Sequence, residues 1–231
     1  MPQLSIIIPV LDEAAEIKEA LAALAPLRAR GAEIIVVDGG SRDRTVEQAR
    51  PLVDLVLAAP RGRGSQMNAG AAAARGDVLL FLHADTRLPI EADRLAVDAL
   101  ARTQRAWGRF DVTIAGRSPL LRIVAAMMNG RSRLTGIATG DQAMFMTRAA
   151  FAQAGGFPDI ALMEDIVMSR RLKAISPPAC LAARVTTSGR RWDRDGVIRT
   201  IFMMWRLRIA FFLGAEPARL ARRYGYGVRD A

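Results

Sequence analysis

Four clusters of acidic side chains stand at places where carboxylates do chemistry. Asp12 and Glu13 follow a short apolar run over residues 4–8 that Pro9 ends. Asp38 closes a second run over 33–37 and leads into Gly39, Gly40 and Ser41. His83 and Asp85 close another over 78–82, and the adjacent pair Glu164 and Asp165 opens a segment of helical spacing. Carboxylates repel a phosphate directly, but they hold it through a divalent cation. They also accept hydrogen bonds from a base N–H or from ribose hydroxyls. Singly, each is equally a strand-end turn or a helix cap; three converging on one sheet edge favour the chemical reading. The Glu164–Asp165 pair reads two ways, as a proton acceptor or as an acidic helix N-terminus, where the dipole favours negative charge.

The elements that must bring these groups together are legible in outline. Residues 4–8, 33–37, 54–57 and 78–82 are short apolar runs of the kind that form strands buried on both faces. Between them lie a helical pattern over 13–29 (Ile17, Leu21, Leu24), a helix through Arg50 capped by Ser41 or Asp43, and a small-residue helix over 67–75. Strands alternating with helices at this spacing predict a parallel α/β sheet with right-handed crossovers. Ligands of such sheets bind beyond the carboxyl ends of the strands, where three of the four clusters fall. After residue 90 the pattern loosens into a helix over 91–104, a strand over 106–114, a helix over 120–128 and a strand over 142–146. A turn at Gly155-Gly156-Phe157-Pro158, a helix over 165–175 and a last long helix over 195–213 complete it. No internal repeat or low-complexity linker interrupts the chain. One domain is expected over 1–195, with a helical, basic extension over 196–231.

Composition removes several alternatives. One cysteine, Cys180, excludes an intramolecular disulfide and a cysteine-built zinc site, and one histidine, His83, excludes any site that needs two. The net charge is +10, and residues 182–231 hold +7 of it, from eleven arginines against four acidic residues. A nucleic-acid or membrane surface would therefore lie at the C-terminus. No nucleic acid is expected, because no recognised motif accompanies the basic residues. The opening lacks the basic region of a signal peptide and no run of 18 apolar residues occurs, so a cytoplasmic chain is expected, with peripheral association with a membrane left open to its C-terminal region. In the last long helix Ile198, Ile201, Phe202, Trp205, Ile209, Phe212 and Leu213 share one face, flanked by Arg199, Arg206 and Arg208. Met203, Met204, Leu207 and Phe211 make the other face apolar too. Such a helix packs in the core, in a homodimer or on an anionic membrane. Arg219, Arg222, Arg223 and Arg229 follow it.

Five motifs in order carry a resemblance. They are Ser5-Ile6-Ile7-Ile8-Pro9-Val10-Leu11-Asp12-Glu13, then Val36-Val37-Asp38-Gly39-Gly40-Ser41, then Arg63-Gly64-Ser65-Gln66-Met67-Asn68-Ala69-Gly70. Gly76-Asp77-Val78-Leu79-Leu80-Phe81-Leu82-His83-Ala84-Asp85-Thr86 and Gly155-Gly156-Phe157-Pro158 with Met163-Glu164-Asp165 follow. Together they resemble family 2 glycosyltransferases of the GT-A fold over roughly residues 4–213. With the ending Thr187-Ser188-Gly189-Arg190-Arg191-Trp192 they resemble the short bacterial subgroup associated with radical-SAM/selenodomain proteins.

The resemblance implies an α/β GT-A fold of mostly parallel sheet flanked by helices, with a C-terminal apolar helix. It implies an inverting, metal-dependent transfer of a sugar from a nucleotide-diphosphate donor, a UDP-sugar by preference, to a hydroxyl of a sugar, lipid or small molecule. Asp38 would accept from the base, Pro9 and Glu13 would line base and ribose, and Arg63 would flank the base or diphosphate. Asn68 and Ala84 belong with these donor-binding residues. Asp85 would hold Mn²⁺ or Mg²⁺, with His83 beside it as a second ligand or as a hydrogen-bond partner of the substrate. Asp165 would be the general base, with Glu164 next in line. Asp141, Gln142, Arg191 and Trp192 would contact sugar, acceptor or diphosphate. Two positions depart from the family pattern: His83-Ala84-Asp85 stands for Asp-x-Asp, and Gly39 stands where a second Asp is frequent. Two other classes remain in view, a sugar-nucleotidyltransferase and a non-catalytic basic module. The first wants a glycine-rich basic loop after the first strand, and the acidic, glycine-free segment 9–13 stands there instead.

Overall fold

The computed structural model describes residues 3–225. Eight strands form one sheet: β1 (Leu4–Val10), β2 (Glu33–Asp38), β3 (Leu55–Ala58), β4 (Val78–Phe81), β5 (Thr86–Arg87), β6 (Trp107–Ala115), β7 (Phe145–Thr147) and β8 (Ala179–Ser188). Their order is β3-β2-β1-β4-β7-β6-β8-β5. The first four are parallel neighbours, as alternating strand and helix require. β7 runs antiparallel between β4 and β6, and β6 pairs with β8 in parallel across a register shift at Phe110/Asp111.

Every residue of β1, β2 and β4 is buried, because helices cover both faces of the sheet. Leu4, Ile6, Ile8 and Val10 enter one core, and Ile7 enters the other with Ile35, Val37, Leu79 and Phe81. Helices α1 (Ile17–Ala22), α2 (Ala25–Ala29), α3 (Thr45–Ala49) and α5 (Ala92–Thr103) contribute to the first core. Helices α4 (Arg63–Ala73), α7 (Arg148–Gln153) and α8 (Glu164–Ile175) contribute to the second. α4 lies so close to β1 that a Cβ on Gly70 would sit 2.4 Å from Ile7 Cγ2, which accounts for the small residues of that helix.

Several boundaries differ from the sequence expectation, each for a local reason. The pattern over 13–29 divides into α1 and α2 where Pro26 enters the first turn of the second. α4 begins at Arg63, four residues early, because Gly62 (φ +144) turns the chain directly into it. α6 (Leu120–Thr135) runs well past residue 128 to Gly136, whose φ of +66 ends it. Asn129 does not break that helix, since its side chain pairs with both main-chain groups of Val112. β8, α7, α9 (Arg190–Asp195) and α11 (Pro217–Tyr224) were not legible as elements in advance.

α10 (Val197–Phe212) packs on the body through the side that the sequence made secondary. Met203, Leu207, Ala210 and Phe211 meet Leu162, Met163 and Ile166 ahead of and within α8, together with Leu220 and Ala221 of α11. Val197 and Ile201 meet Leu121, Val124 and Ala125 of α6. Arg229 lies outside the described residues. No described helix is long and apolar enough to cross a membrane.

Candidate active site

The carboxyl ends of β1 and β4 open on a cavity of about 440 Å³. Pro9 and Glu13 line it from the β1 side, Arg63 and Gln66 from α4, and His83, Ala84 and Asp85 from the loop after β4. Ala218, Ala221 and Arg222 of α11 close it from above, so the C-terminal segment is a wall of the site. The β1 loop is held firmly. Asp12 (φ +52) receives the amide of Arg42 at 2.7 Å, Glu13 donates its amide to Thr45 Oγ1 at 2.8 Å, and Ala14 donates to Asp43 at 3.0 Å.

Asp38 is buried at the end of β2, and its carboxylate accepts from the amides of Gly40 and Ser41 at 3.0 and 3.1 Å and from the Ser41 hydroxyl. In this arrangement it shapes the 39–41 turn beside the cavity and does not itself line it; the resemblance implies that it accepts from the base. The residue that sequence reasoning passed over is Gln66. Its Nε2 donates to the carbonyls of Val10 and Val37 at 2.8 Å each, tying β1 to β2 under the cavity. A Cβ on Gly39 would stand 3.0 Å from Gln66 Cδ, so the glycine at that position leaves room for the glutamine. The Gly39–Gln66 pairing spans 27 positions and has no local sequence signal.

Asp85 lies between groups of both signs. Arg190 Nη2 stands 4.0 Å from its Oδ2, and Nη1 of the same guanidinium bonds to Glu16. Burial pushes the Glu13 carboxyl above the usual range, with Arg190 opposing and Asp85 adding to the shift. Of the three residues 190–192 it is thus Arg190 that reaches the acidic cluster. Arg191 stacks 3.8 Å over the Tyr224 ring and donates to its carbonyl at 2.9 Å. Trp192 packs against the apolar cluster of α6. Arg191 and Trp192, which the resemblance implies as ligand contacts, make contacts that dock the C-terminal helices, and Arg191 also acts electrostatically on Asp141.

His83 sets its Nδ1 3.6 Å from Asp141 Oδ1, and its Cε1–Nε2 edge lies against Gly140, where an added Cβ would come within 2.3 Å. Burial raises the Asp141 carboxyl, and His83, Arg63 and Arg191 together bring it below its usual range. Gln142 is fully buried; it accepts from the Thr139 amide at 3.3 Å and donates to Asn129 at 3.4 Å, which makes it a brace of the 139–142 turn. Asn68 is likewise a clamp, accepting from the Phe157 amide at 2.9 Å and donating to the Phe157 carbonyl at 2.8 Å. Neither amide side chain lines the cavity.

On the far side of that turn stands Asp165. Its Oδ2 accepts from the amide of Gly140 at 2.9 Å and its Oδ1 from its neighbour Ile166 at 2.7 Å. Burial, reinforced by Glu164, pushes its pKa up to about 6 against those two amides. Glu164 is buried, with Oε1 4.0 Å from Arg63 Nη1. Met163 takes φ +74 immediately before them, a left-handed conformation that is costly for a residue with a Cβ and that sets the pair at the start of α8. Among the described residues no three His, Cys, Asp or Glu groups gather closely enough to hold a metal by themselves.

A mostly parallel sheet with helices on both faces and carboxylates at its strand ends over a cavity is the GT-A type of α/β fold. Residues 5–153 match the model of Glycosyl transferase family 2, more than half of the chain, and the chain belongs to that family. It is 28% identical over 196 residues to "Probable glycosyltransferase YdaM" of Bacillus subtilis (strain 168), which covers 74% of this chain and 47% of that protein. The chain thus spans about half the length of that curated relative. Two solved structures share the fold. S. aureus TarS 1-349 in complex with UDP-GlcNAc has a TM-score of 0.65 at 20% identity, over 81% of this chain and 58% of that one. The mannosyltransferase PcManGT from Pyrobaculum calidifontis, in complex with GDP-Man and Mn²⁺, has a TM-score of 0.63 at 20% identity, over 97% and 69%.

Proposed function

We propose that this chain moves a sugar from a nucleoside-diphosphate donor, UDP-linked by preference, to an acceptor hydroxyl with inversion at the anomeric carbon. The observation that carries the reading is the pair of sites on either side of the 139–142 turn. One is a cavity walled by Pro9, Glu13, Arg63 and Asp85; the other is Asp165, with a pKa near 6. The family of the chain and the nucleotide sugars named with TarS and PcManGT support the donor class.

Each residue then has a physical task. Asp165 takes the proton of the acceptor hydroxyl as its oxygen bonds to the anomeric carbon, and the bond from that carbon to the phosphate oxygen breaks with the electron pair leaving on the nucleoside diphosphate. A base with a pKa near 6 is ionised at neutral pH yet still able to hold a proton. Arg63 and Arg190 offer donors to the charge that grows on the leaving group. A divalent cation fits the donor set: Asp85 is partly exposed at the cavity wall and would hold it, since one carboxylate would suffice where phosphate oxygens and water supply the rest. When bound it supplies Lewis-acid stabilisation of the departing diphosphate. His83 faces Asp141 and packs on Gly140, so Asp85 would hold the cation and His83 would stand beside it. A lipid, sugar or small-molecule alcohol is the acceptor.

The test is direct. Calorimetric titration of UDP and GDP in Mn²⁺, in Mg²⁺ and in EDTA is expected to give saturable, metal-enhanced binding of one nucleotide, with release of that nucleoside diphosphate from its sugar conjugate. No binding of either nucleotide under any of the three conditions would overturn the reading.

A further inference from the structure

Single apolar side chains scattered on a surface need no explanation, whereas a cluster of large ones does. Along α10 and its C-cap residue Leu213, the side chains of Ile198, Phe202, Trp205, Ile209, Phe212 and Leu213 are between 54% and 83% exposed. At about 100° per residue they fall within an arc of about 100° on the side opposite the one that packs on the body. Arg208 lies at one margin of that arc, and Arg199 and Arg206 lie at the other. α6, which touches α10 through Leu121 and Val124 against Val197 and Ile201, adds exposed Leu120, Ile123 and Met127.

The charges on these two helices decide what covers this face. α10 carries Arg199, Arg206 and Arg208 and the outer side of α6 carries Arg122, while Arg131 is largely buried and Arg133 pairs with Asp111; neither helix contains an acidic residue. Two copies of the face brought together would set Arg199, Arg206 and Arg208 of each against those of the other, a like-charge contact that Asp195 offsets only beside Arg199. An anionic lipid surface complements the pattern. Apolar side chains enter the boundary between headgroups and acyl chains, while arginines at the margins of the stripe reach the phosphates. With 16 residues, α10 is suited to lie in that plane and is not long enough to cross it.

We propose that α10, with the adjoining face of α6, docks the protein on an anionic lipid bilayer. Binding is carried by the six exposed apolar residues of α10 and strengthened by its arginines.

Flotation of the full chain with phosphatidylcholine vesicles, with and without a quarter of phosphatidylglycerol, reads this directly at low and high salt. The protein should float with the anionic vesicles at low salt. Tryptophan emission should shift to the blue, and W205F should abolish the shift, since Trp107 is buried in the core and Trp192 packs on α6. F202S/F212S alters exposed side chains only, so its melting temperature should be unchanged while partitioning falls at least tenfold. R206S should weaken partitioning about fivefold, as expected for loss of one basic group at a charged surface worth about 1 kcal/mol. Absence of flotation at low salt, or flotation unchanged in both variants, would overturn the proposal. So would a dimer by light scattering that F202S/F212S converts to monomer, which would assign the face to a second copy.

Discussion

The amide of Gly140 donates to Asp165 at 2.9 Å, and the other side of the same glycine carries the ring of His83. One residue therefore separates the cavity wall from the candidate base. A Cβ at position 140 would overlap the imidazole, so glycine alone lets the loop after β4, the 139–142 turn and the start of α8 approach so closely. Asp141 joins the three electrostatically, since it faces His83 and also helps to raise Asp165.

Asp165 should set the acidic limb of the reaction. Its carboxyl ionises near pH 6, so kcat/KM should fall about tenfold per pH unit below that value. D165N should retain nucleotide binding and lower turnover by roughly 10²–10⁴. Near-normal transfer by D165N would move the base to Glu164.

The same group makes a prediction about stability. Its folded pKa lies above the unfolded value of 3.8, so the folded state binds the extra proton and this group stabilises the fold as pH falls through about 6 toward 4. Above pH 6 the buried charge beside Glu164 opposes folding. D165N should therefore raise the melting temperature at pH 7.5, and the gain should shrink at pH 4.5. A gain equal at both values would show that charge is not its cause.

Asp85 is half-exposed at the mouth of the cavity, so D85A should fold normally. Metal-enhanced binding of the nucleoside diphosphate should be lost, which titration with and without Mn²⁺ would measure. Unchanged enhancement would remove Asp85 from the cation.

His83 is held by Asp141 and Gly140, so it should not choose the metal. H83D should leave the ratio of Mn²⁺ to Mg²⁺ activation as it is while lowering activity with both, because two carboxylates would then face each other at position 141. A preference moved toward Mg²⁺, as exchange of nitrogen for oxygen would produce, would make His83 a ligand after all.

Gln66 tests the floor of the site. Q66L removes the donor shared by the carbonyls of Val10 and Val37, of which Val10 keeps the Gly39 amide, and should cost about 1–3 kcal/mol. Denaturant unfolding would measure it. A variant as stable as the parent would show that the two strand ends hold together without it.

The sequence by itself determined the half of the fold built on local alternation. β1, β2 and β4 are runs buried on both faces, and a parallel order follows once helices separate them. Strand ends in such a sheet point to one edge, so Asp12, Glu13, Asp38, His83 and Asp85 were bound to fall together there. Only the tertiary structure decided what each does. Arg190 meets Asp85 from 105 positions away, His83 meets Asp141, Gln66 meets Gly39, and Asn68 clamps Phe157. No period of 2 or 3.6 residues encodes such contacts, because the intervening chain and not the local spacing sets them. The antiparallel placement of β7 and the pairing of β8 are of the same kind, since a short strand takes its partner from the packing around it. α10 shows the limit most clearly. Its sequence is apolar on both sides, and only the positions of α6, α8 and α11 select which side is covered and which faces outward.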